Sequence, residues 1–331
     1  MTVRFGVIGL GAIGSVHASN LASRIPGATL AAVADVDIAL AQATAHRFGV
    51  PTVLTSATDL IADPAVDAVV ICTPRDTHAP LVIEAAAAGK HTFCEKPLAC
   101  TRGEIAAVDR ALAASGILLQ VGFNRRFDAN FIRVKDAITS GEIGATQLMH
   151  LVSRDPQPAA GAADRTPADI LLETTIHDLD AARHFANSEI ASVYTVRVRA
   201  HDGERLDGVL LTLQFANGIV ATIDNHLRSA FGYDQRVEVF GSAGAIAIAN
   251  ETATRTTLST RTGLIDPLPL DFFTERYAAA YIAEMRALTE CITTGHRPAV
   301  SAADGAAATI AALAAIQSLD SGQPVTVEAA P

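Results

Sequence analysis

The sequence predicts an α/β chain in two parts: a doubly wound parallel sheet over residues 1–122, then an α+β region over 123–331 built on a large, mostly antiparallel, open-faced sheet. Three observations carry this. Apolar runs of strand length alternate with helical segments as far as Phe123. A glycine triplet, Gly9-x-Gly11-x-x-Gly14, stands between the first apolar run and the first helix. After Ala191, period-two alternation takes over, and Asn217-Gly218 marks a tight hairpin turn.

Composition bounds what such a chain does. Its 331 residues leave room for about two domains, and half of them are apolar. With 35 acidic against 25 basic side chains, the surface repels phosphate backbones, which argues against nucleic acid or an anionic membrane as partner. The first strand begins at once, with no basic, apolar leader before it, and no span of membrane length is expected. Cys72, Cys94, Cys100 and Cys291 form no C-x-x-C pair and read as small core hydrophobes rather than redox or metal ligands. A cytoplasmic protein is the expectation.

In chain order, Val3–Gly9 reads as a strand, 14–24 as a helix and 28–36 as a second strand, a βαβ unit. The triplet with Ala12 and Ile13 inside it then has a mechanism. Gly9 permits the turn, Gly11 lets a pyrophosphate approach the main chain, and Gly14 lets the helix pack on the strand, whose first amides face the phosphates. Asp35 lies about 20 residues beyond, where a dinucleotide fold places the carboxylate that accepts from the adenosine ribose hydroxyls. An acid there repels a 2′-phosphate, so NAD is expected over NADP. A rival role for Asp35 is to cap the helix beginning near Ile38.

Helices at 39–48, 57–62 and 78–88, with a buried strand at 68–73, continue the alternation. Asp76 or Thr77 is expected to cap the third of them. The loop Thr73-Pro74 to His78 sits at a strand's carboxyl end, so Thr73, Pro74 and His78 are candidate cofactor contacts. The strand 91–95 delivers Glu95-Lys96-Pro97 to the same edge, where Lys96 could polarise a substrate oxygen. Thr101-x-x-Glu104 resembles a capping box for a helix to Ser115, and 117–123 closes the sheet.

Beyond Phe123, a helix over 130–140 ending at Gly141 leads to a strand over 146–153 and a long polar loop over 154–167, expected near the substrate. In the segment Asp169–His184, Leu172, Ile176 and Leu179 fall at helical spacing, and Glu173, His177 and Asp180 share the neighbouring face. A carboxylate four residues before an imidazole can orient it, which suits a general base. Metal ligation is a competing use of the same residue types, although no H-E-x-x-H spacing accompanies it. Strands over 193–199, 211–215 with 219–223, 236–241 and 245–249 then give a sheet with one face for helices and the other open to a partner subunit, and helices over 272–294 and 302–318 end the chain.

Taken together, Gly9-x-Gly11-x-x-Gly14, Cys94-Glu-Lys-Pro97 and Ile176-His-Asp-Leu-Asp180, in that order, resemble the Gfo/Idh/MocA oxidoreductases over essentially the whole chain. Within that family, Thr77-His-Ala79, Gly122–Phe127, Ser153-Arg-Asp-Pro156 and Thr175-Ile-His-Asp178 are similar to inositol 2-dehydrogenases. The resemblance implies a Rossmann domain, an open-faced second domain and a tetramer formed through its sheet. It implies that Lys96, Glu173 and His177 are catalytic, and that Arg126, Asp155, Asp180 and Tyr233, with Lys96 and His177, contact a polyol. The family commonly carries aspartate where Glu173 stands.

The expected activity is NAD-dependent oxidation of a secondary hydroxyl of a cyclic polyol or sugar, an inositol foremost, with His177 as base and no metal. Two alternatives stay open: an NAD-dependent glycosidase of the same fold, in which oxidation is transient, and a non-catalytic nucleotide sensor.

Overall fold

The computed structural model describes residues 2–156, 165–199 and 206–329. The chain forms two compact units. The first takes the chain to Asp128 together with Ala279–Ile310, and the second takes Ala129–Ala278 and Ala311–Glu328.

In the first unit the strands are β1 (Val3–Ile8), β2 (Ala28–Ala34), β3 (Thr52–Leu54), β4 (Ala68–Ile71), β5 (His91–Glu95) and β6 (Leu119–Gly122). Between them run α1 (Ala12–Ser23), α2 (Ile38–Phe48), α3 (Ala57–Ala62), α4 (His78–Ala87) and α5 (Arg102–Ser115). All strands are parallel in the order β3-β2-β1-β4-β5-β6. The sequence leaves out the short β3. Because the order reverses between β1 and β4, the glycine loop after β1 and the Thr73 loop after β4 come out side by side at the carboxyl edge, where such sheets open a ligand crevice. Thr101 and Glu104 make the expected capping box on α5. The expected cap of α4 is absent. No side chain caps that helix, and the Thr77 hydroxyl donates instead to Thr73 Oγ1 at 2.6 Å and lies 2.7 Å from the Pro74 carbonyl.

Helix α6 (Ala129–Thr139) and strand β7 (Thr146–Pro156) open the second unit. After them come α7 (Pro167–Asp169), a π-helical turn over Ile170–Thr175 and α8 (Ile176–Ala186). Strands β8 (Ile190–Arg199), β9 (Leu206–Phe215), β10 (Val220–Ser229), β11 (Asp234–Gly241) and β12 (Gly244–Ile248) follow, with a small hairpin of β13 (Leu258–Thr260) and β14 (Gly263–Ile265). Short α9 (Phe273–Arg276), then α10 (Ala278–Thr294), α11 (Ala302–Ser321) and β15 (Val325–Thr326) complete the chain. The seven-stranded sheet runs β12-β11-β7-β10-β9-β8-β15 and is antiparallel except where β7 and β10 lie parallel. The Asn217-Gly218 hairpin forms as its dipeptide predicts, with Leu213 opposite Ala221 and Leu211 opposite Ile223.

Burial alternates along β9, β10 and β11, so one face of this sheet is covered and the other is not. On the covered face α6 and α8 are joined by stacked Phe131 and Phe185, with ring centroids 5.8 Å apart. On the bare face Tyr194, Val196, Leu210 and Phe240 are exposed, and Val196 pairs directly with Leu210.

Two helices depart from the sequence reading. The run expected over 272–294 breaks at Tyr277 into α9 and α10, and the second part returns to the first unit, where Met285 and Leu288 join the core around Val3, Phe5 and Val70. Each is fully buried, which stabilises by about 1.5–3 kcal/mol per side chain. Helix α11 is long and apolar enough to cross a membrane by length and composition alone. It packs as a core helix: 56% of its most apolar 18-residue stretch is buried, and Gly305 admits Leu98 so closely that a Cβ would stand 3.0 Å from it. The long loop expected over 154–167 begins later than predicted, since β7 continues to Pro156, and residues 157–164 lie outside the described ones.

Candidate active site

On the first unit the cofactor side is assembled mostly from main chain. Gly9 has φ +84°, and a Cβ on it would meet the Cys72 carbonyl at 2.7 Å. At Gly14 a Cβ would stand only 1.9 Å from the Gly9 carbonyl, so the close helix–strand approach admits no side chain. Gly11 is different, because a Cβ there meets nothing within 4 Å. That open side, with the uncapped start of α1 at Gly11 through Ala12 and Ile13, fits a pyrophosphate.

The capping role considered for Asp35 belongs to Asp37, whose side chain accepts from the amides of Ala39 and Leu40. Asp35 instead accepts from the Leu10 amide at 2.7 Å and the Asp37 amide at 2.9 Å. Its carboxylate is thereby fixed beside the glycine loop, where a ribose diol would find it. These residues fit NAD.

Thr73 and Pro74 follow β4, and His78 ties their loop to the next one. Buried at the start of α4, its Nε2 lies 2.8 Å from the Thr73 carbonyl and its Nδ1 2.7 Å from that of Pro97. The Glu95-Lys96-Pro97 tip, with a cis peptide before Pro97, is thus held against the β4 loop. Lys96 is partly accessible, whereas the Glu95 side chain turns into the protein, with Oε1 3.0 Å from His17 Nε2. Arg126 is committed within the same unit to Asp304 at the start of α11, at 3.3 Å.

The second unit presents the acid–base candidates. From Ile170 to Asp180 every residue is buried except Glu173 and His177, which come at an interval of four. Leu172, Ile176 and Leu179 lie in the core as their spacing predicts. The continuous helix expected there is a π-helical turn running into α8. Such turns are uncommon, cluster at functional sites and leave no composition signal. Glu173 also pairs with Arg165 at 3.5 Å. Asp180 is buried, Asp155 lies near the end of β7, and Tyr233 sits edge-on to Tyr277 with centroids 6.2 Å apart.

Next to His177, Asp178 is a residue whose part the sequence does not reveal. Register puts Asn225, Ser153 and Gln235 side by side across β10, β7 and β11 on the covered face. The Ser153 hydroxyl donates to one Asp178 oxygen at 2.8 Å and the Asn225 amide to the other at 2.9 Å. A buried carboxylate satisfied on both oxygens pins the first turn of α8, and with it the main chain that carries His177. The alternating pattern of the strands predicts apolar residues at 153, 225 and 235, so their polarity was the available signal.

Residues 3–123 match the NAD-binding Rossmann fold of the Gfo/Idh/MocA oxidoreductase family, and residues 131–247 match its C-terminal domain. The chain is 38% identical over 331 residues to a myo-inositol 2-dehydrogenase of Thermotoga maritima, covering 98% of this chain and 99% of the relative. An inositol 2-dehydrogenase of Rhizobium meliloti is 39% identical over 332 residues, covering 99% and 100%. The crystal structure of a scyllo-inositol dehydrogenase from Lactobacillus casei with bound NAD(H) and scyllo-inositol superposes with a TM-score of 0.91 at 28% identity, covering 99% of each chain. Agreement of sequence, fold and dinucleotide loop over the full length places this chain in the Gfo/Idh/MocA family as an NAD-dependent oxidoreductase.

Proposed function

We propose that the protein oxidises a secondary ring hydroxyl of an inositol, or of a closely related cyclic polyol or sugar, to the ketone. The observation that carries this reading is the pair Glu173 and His177, the accessible positions in an otherwise buried stretch, in a chain whose cofactor unit carries Lys96 directly after β5. The inositol dehydrogenases among its relatives point to the substrate class.

In this reading residues 1–122 serve the cofactor and the chain after them the substrate and assembly, apart from α10, which packs into the core of the first unit. Gly9, Gly11 and Gly14 with Asp35 hold the dinucleotide, and Thr73, Pro74, His78 and the Glu95-Lys96 main chain line its nicotinamide end. NAD, when bound, supplies the hydride acceptor. His177 removes the hydroxyl proton, a role that contributes about 10²–10⁴-fold. Lys96 donates to the same oxygen and stabilises the negative charge that grows on it. Glu173 aligns the imidazole, while Arg126, Asp155, Asp180 and Tyr233 select among the remaining hydroxyls. Glutamate in place of the family's usual aspartate shifts the pocket by about one methylene, a change that acts on substrate preference rather than on the reaction class.

The bare sheet face with Tyr194, Val196, Leu210 and Phe240 is assigned to a second copy of the chain, giving a homodimer or tetramer. Four cysteines, none in a disulfide, accord with a cytosolic location. The test is a panel of inositols and aldopyranoses with NAD, read as NADH absorbance. Net NADH with at least one inositol is expected. Hydrolysis of a glycoside without net NADH, or no turnover with any of them, contradicts the proposal.

A further inference from the structure

One buried cluster of titratable side chains takes no part in the chemistry above. His17 on α1 and Glu284 on α10 are fully buried, and Glu95 at the end of β5 is nearly so. His17 Nε2 lies 3.0 Å from Glu95 Oε1 and 3.8 Å from Glu284 Oε1. The second Glu95 oxygen accepts from the Lys96 amide at 3.3 Å. Phe93 and Tyr281 close on the imidazole edge-on, with centroids 4.9 and 5.7 Å away. A Cβ at Gly122 would fall 2.9 Å from Glu95 Oε2, so glycine there keeps the space into which that carboxylate turns.

Two carboxylates and an imidazole shut off from water cannot all be ionised. Burial, and then the charge of Glu95, push the Glu284 carboxyl well above the ordinary carboxylate range. Neither Glu284 oxygen has a hydrogen-bond partner in the structure, and the Gln120 amide holds the residue in place by donating to its carbonyl at 2.8 Å. An apolar trio would fill the same volume without the desolvation cost. What the polar trio adds is direction, and through Glu95 it reaches the Lys96 amide.

We propose that His17, Glu95 and Glu284 are positioning residues for Lys96: a buried post in which His17 bonds to Glu95 and the Glu284 carboxyl packs 3.8 Å from the same imidazole nitrogen, tying the tip of β5 to α1 and α10. The inference rests on the assignment of Lys96 to the substrate oxygen. A displacement of about 1 Å at a reacting group costs about 10²-fold in rate, so loosening the post should act on turnover and not on cofactor affinity.

The experiment compares His17→Leu, Glu284→Ala and Glu284→Gln with the parent enzyme, measuring kcat for polyol oxidation and KM for NAD, with Lys96→Met alongside. His17→Leu and Glu284→Ala are expected to lower kcat about 10- to 100-fold while KM for NAD moves less than about threefold. Glu284→Gln should recover most of that loss, because an amide of the same shape keeps the buried space between α10 and His17 filled. If Glu284→Ala does not fold, His17→Leu and His17→Gln carry the same comparison. Unchanged kcat in the first two variants, a KM for NAD that rises in step with the loss, or no recovery with glutamine would each overturn the proposal. So would a stoichiometric divalent metal in the purified enzyme that a chelator removes with loss of stability, since the three side chains, whose ligand atoms lie within 4.8 Å of one another, would then be its ligands. Turnover that survives Lys96→Met would overturn the assignment of Lys96 itself, whatever the cluster variants do.

Discussion

In the first unit the cofactor side is made of backbone that leaves no latitude, as the contacts a Cβ would make at Gly9 and Gly14 show. In the second unit the proposed acid–base side is made of side chains, Glu173 and His177, carried on a π-helical turn and the helix after it. The difference separates what each unit can vary. At Gly9 and Gly14 the main-chain cradle tolerates no side chain, whereas a side-chain pair can be lengthened by a methylene and retune its substrate.

Substitutions in the glycine loop give the largest effects that would break this contrast. Gly14→Ala should destabilise the first unit by about 3 kcal/mol or more in urea unfolding, since its Cβ meets main chain that cannot yield. Gly11→Ala should leave stability within about 0.5 kcal/mol yet weaken NAD in a fluorescence titration. A Gly11 variant that unfolds, or one that binds NAD as well as its parent, would remove the distinction between a glycine kept for packing and one kept for the ligand. Next comes Asp35→Ala. Without its acceptor oxygens, NAD should bind about tenfold more weakly, near 1.4 kcal/mol, and discrimination against NADP should narrow.

On the side-chain half, Asp178→Asn should cost about 1–3 kcal/mol, because an amide nitrogen would face the Ser153 hydroxyl or the Asn225 amide, both now donors. Its kcat should fall with it, while NAD affinity stays put. The smallest effect is electrostatic. Asp234 is desolvated, which raises its pKa, but the Arg236 and Asn250 hydrogen bonds and the charges of Arg236 and Arg154 outweigh this and leave it below 3.8. A depressed folded-state pKa contributes stability that is present above the unfolded value and lost as pH falls through the folded one. Asp234→Asn should therefore be less stable than its parent at pH 7, and the gap should narrow as pH falls below the ordinary aspartate value of about 3.9.

How much of this was legible in the sequence follows the same division. The Rossmann half was readable because its function depends on glycines at fixed spacing and on strands buried on both faces, both of which composition displays. Lys96 and His177 were readable as candidates because they follow a strand tip and lie on an amphipathic segment. The π turn before α8 was not, since no residue type marks it. Nor was the return of α10 to the first core, because Met285 and Leu288 carry no record of which sheet they pack on. Asp178 and Glu284 escaped for a related reason: a buried carboxylate looks like a surface one until its neighbours are known.

The central claim is that the cofactor and the proton are handled by separate groups, the dinucleotide by the glycine loop with Asp35 and the hydroxyl proton by His177. It is met most directly by His177→Ala, with kcat for inositol oxidation and NAD affinity measured on the same preparation. The account predicts turnover down by about 10²–10⁴-fold with the NAD dissociation constant within about twofold of the parent. Turnover that persists near the parental rate would contradict it.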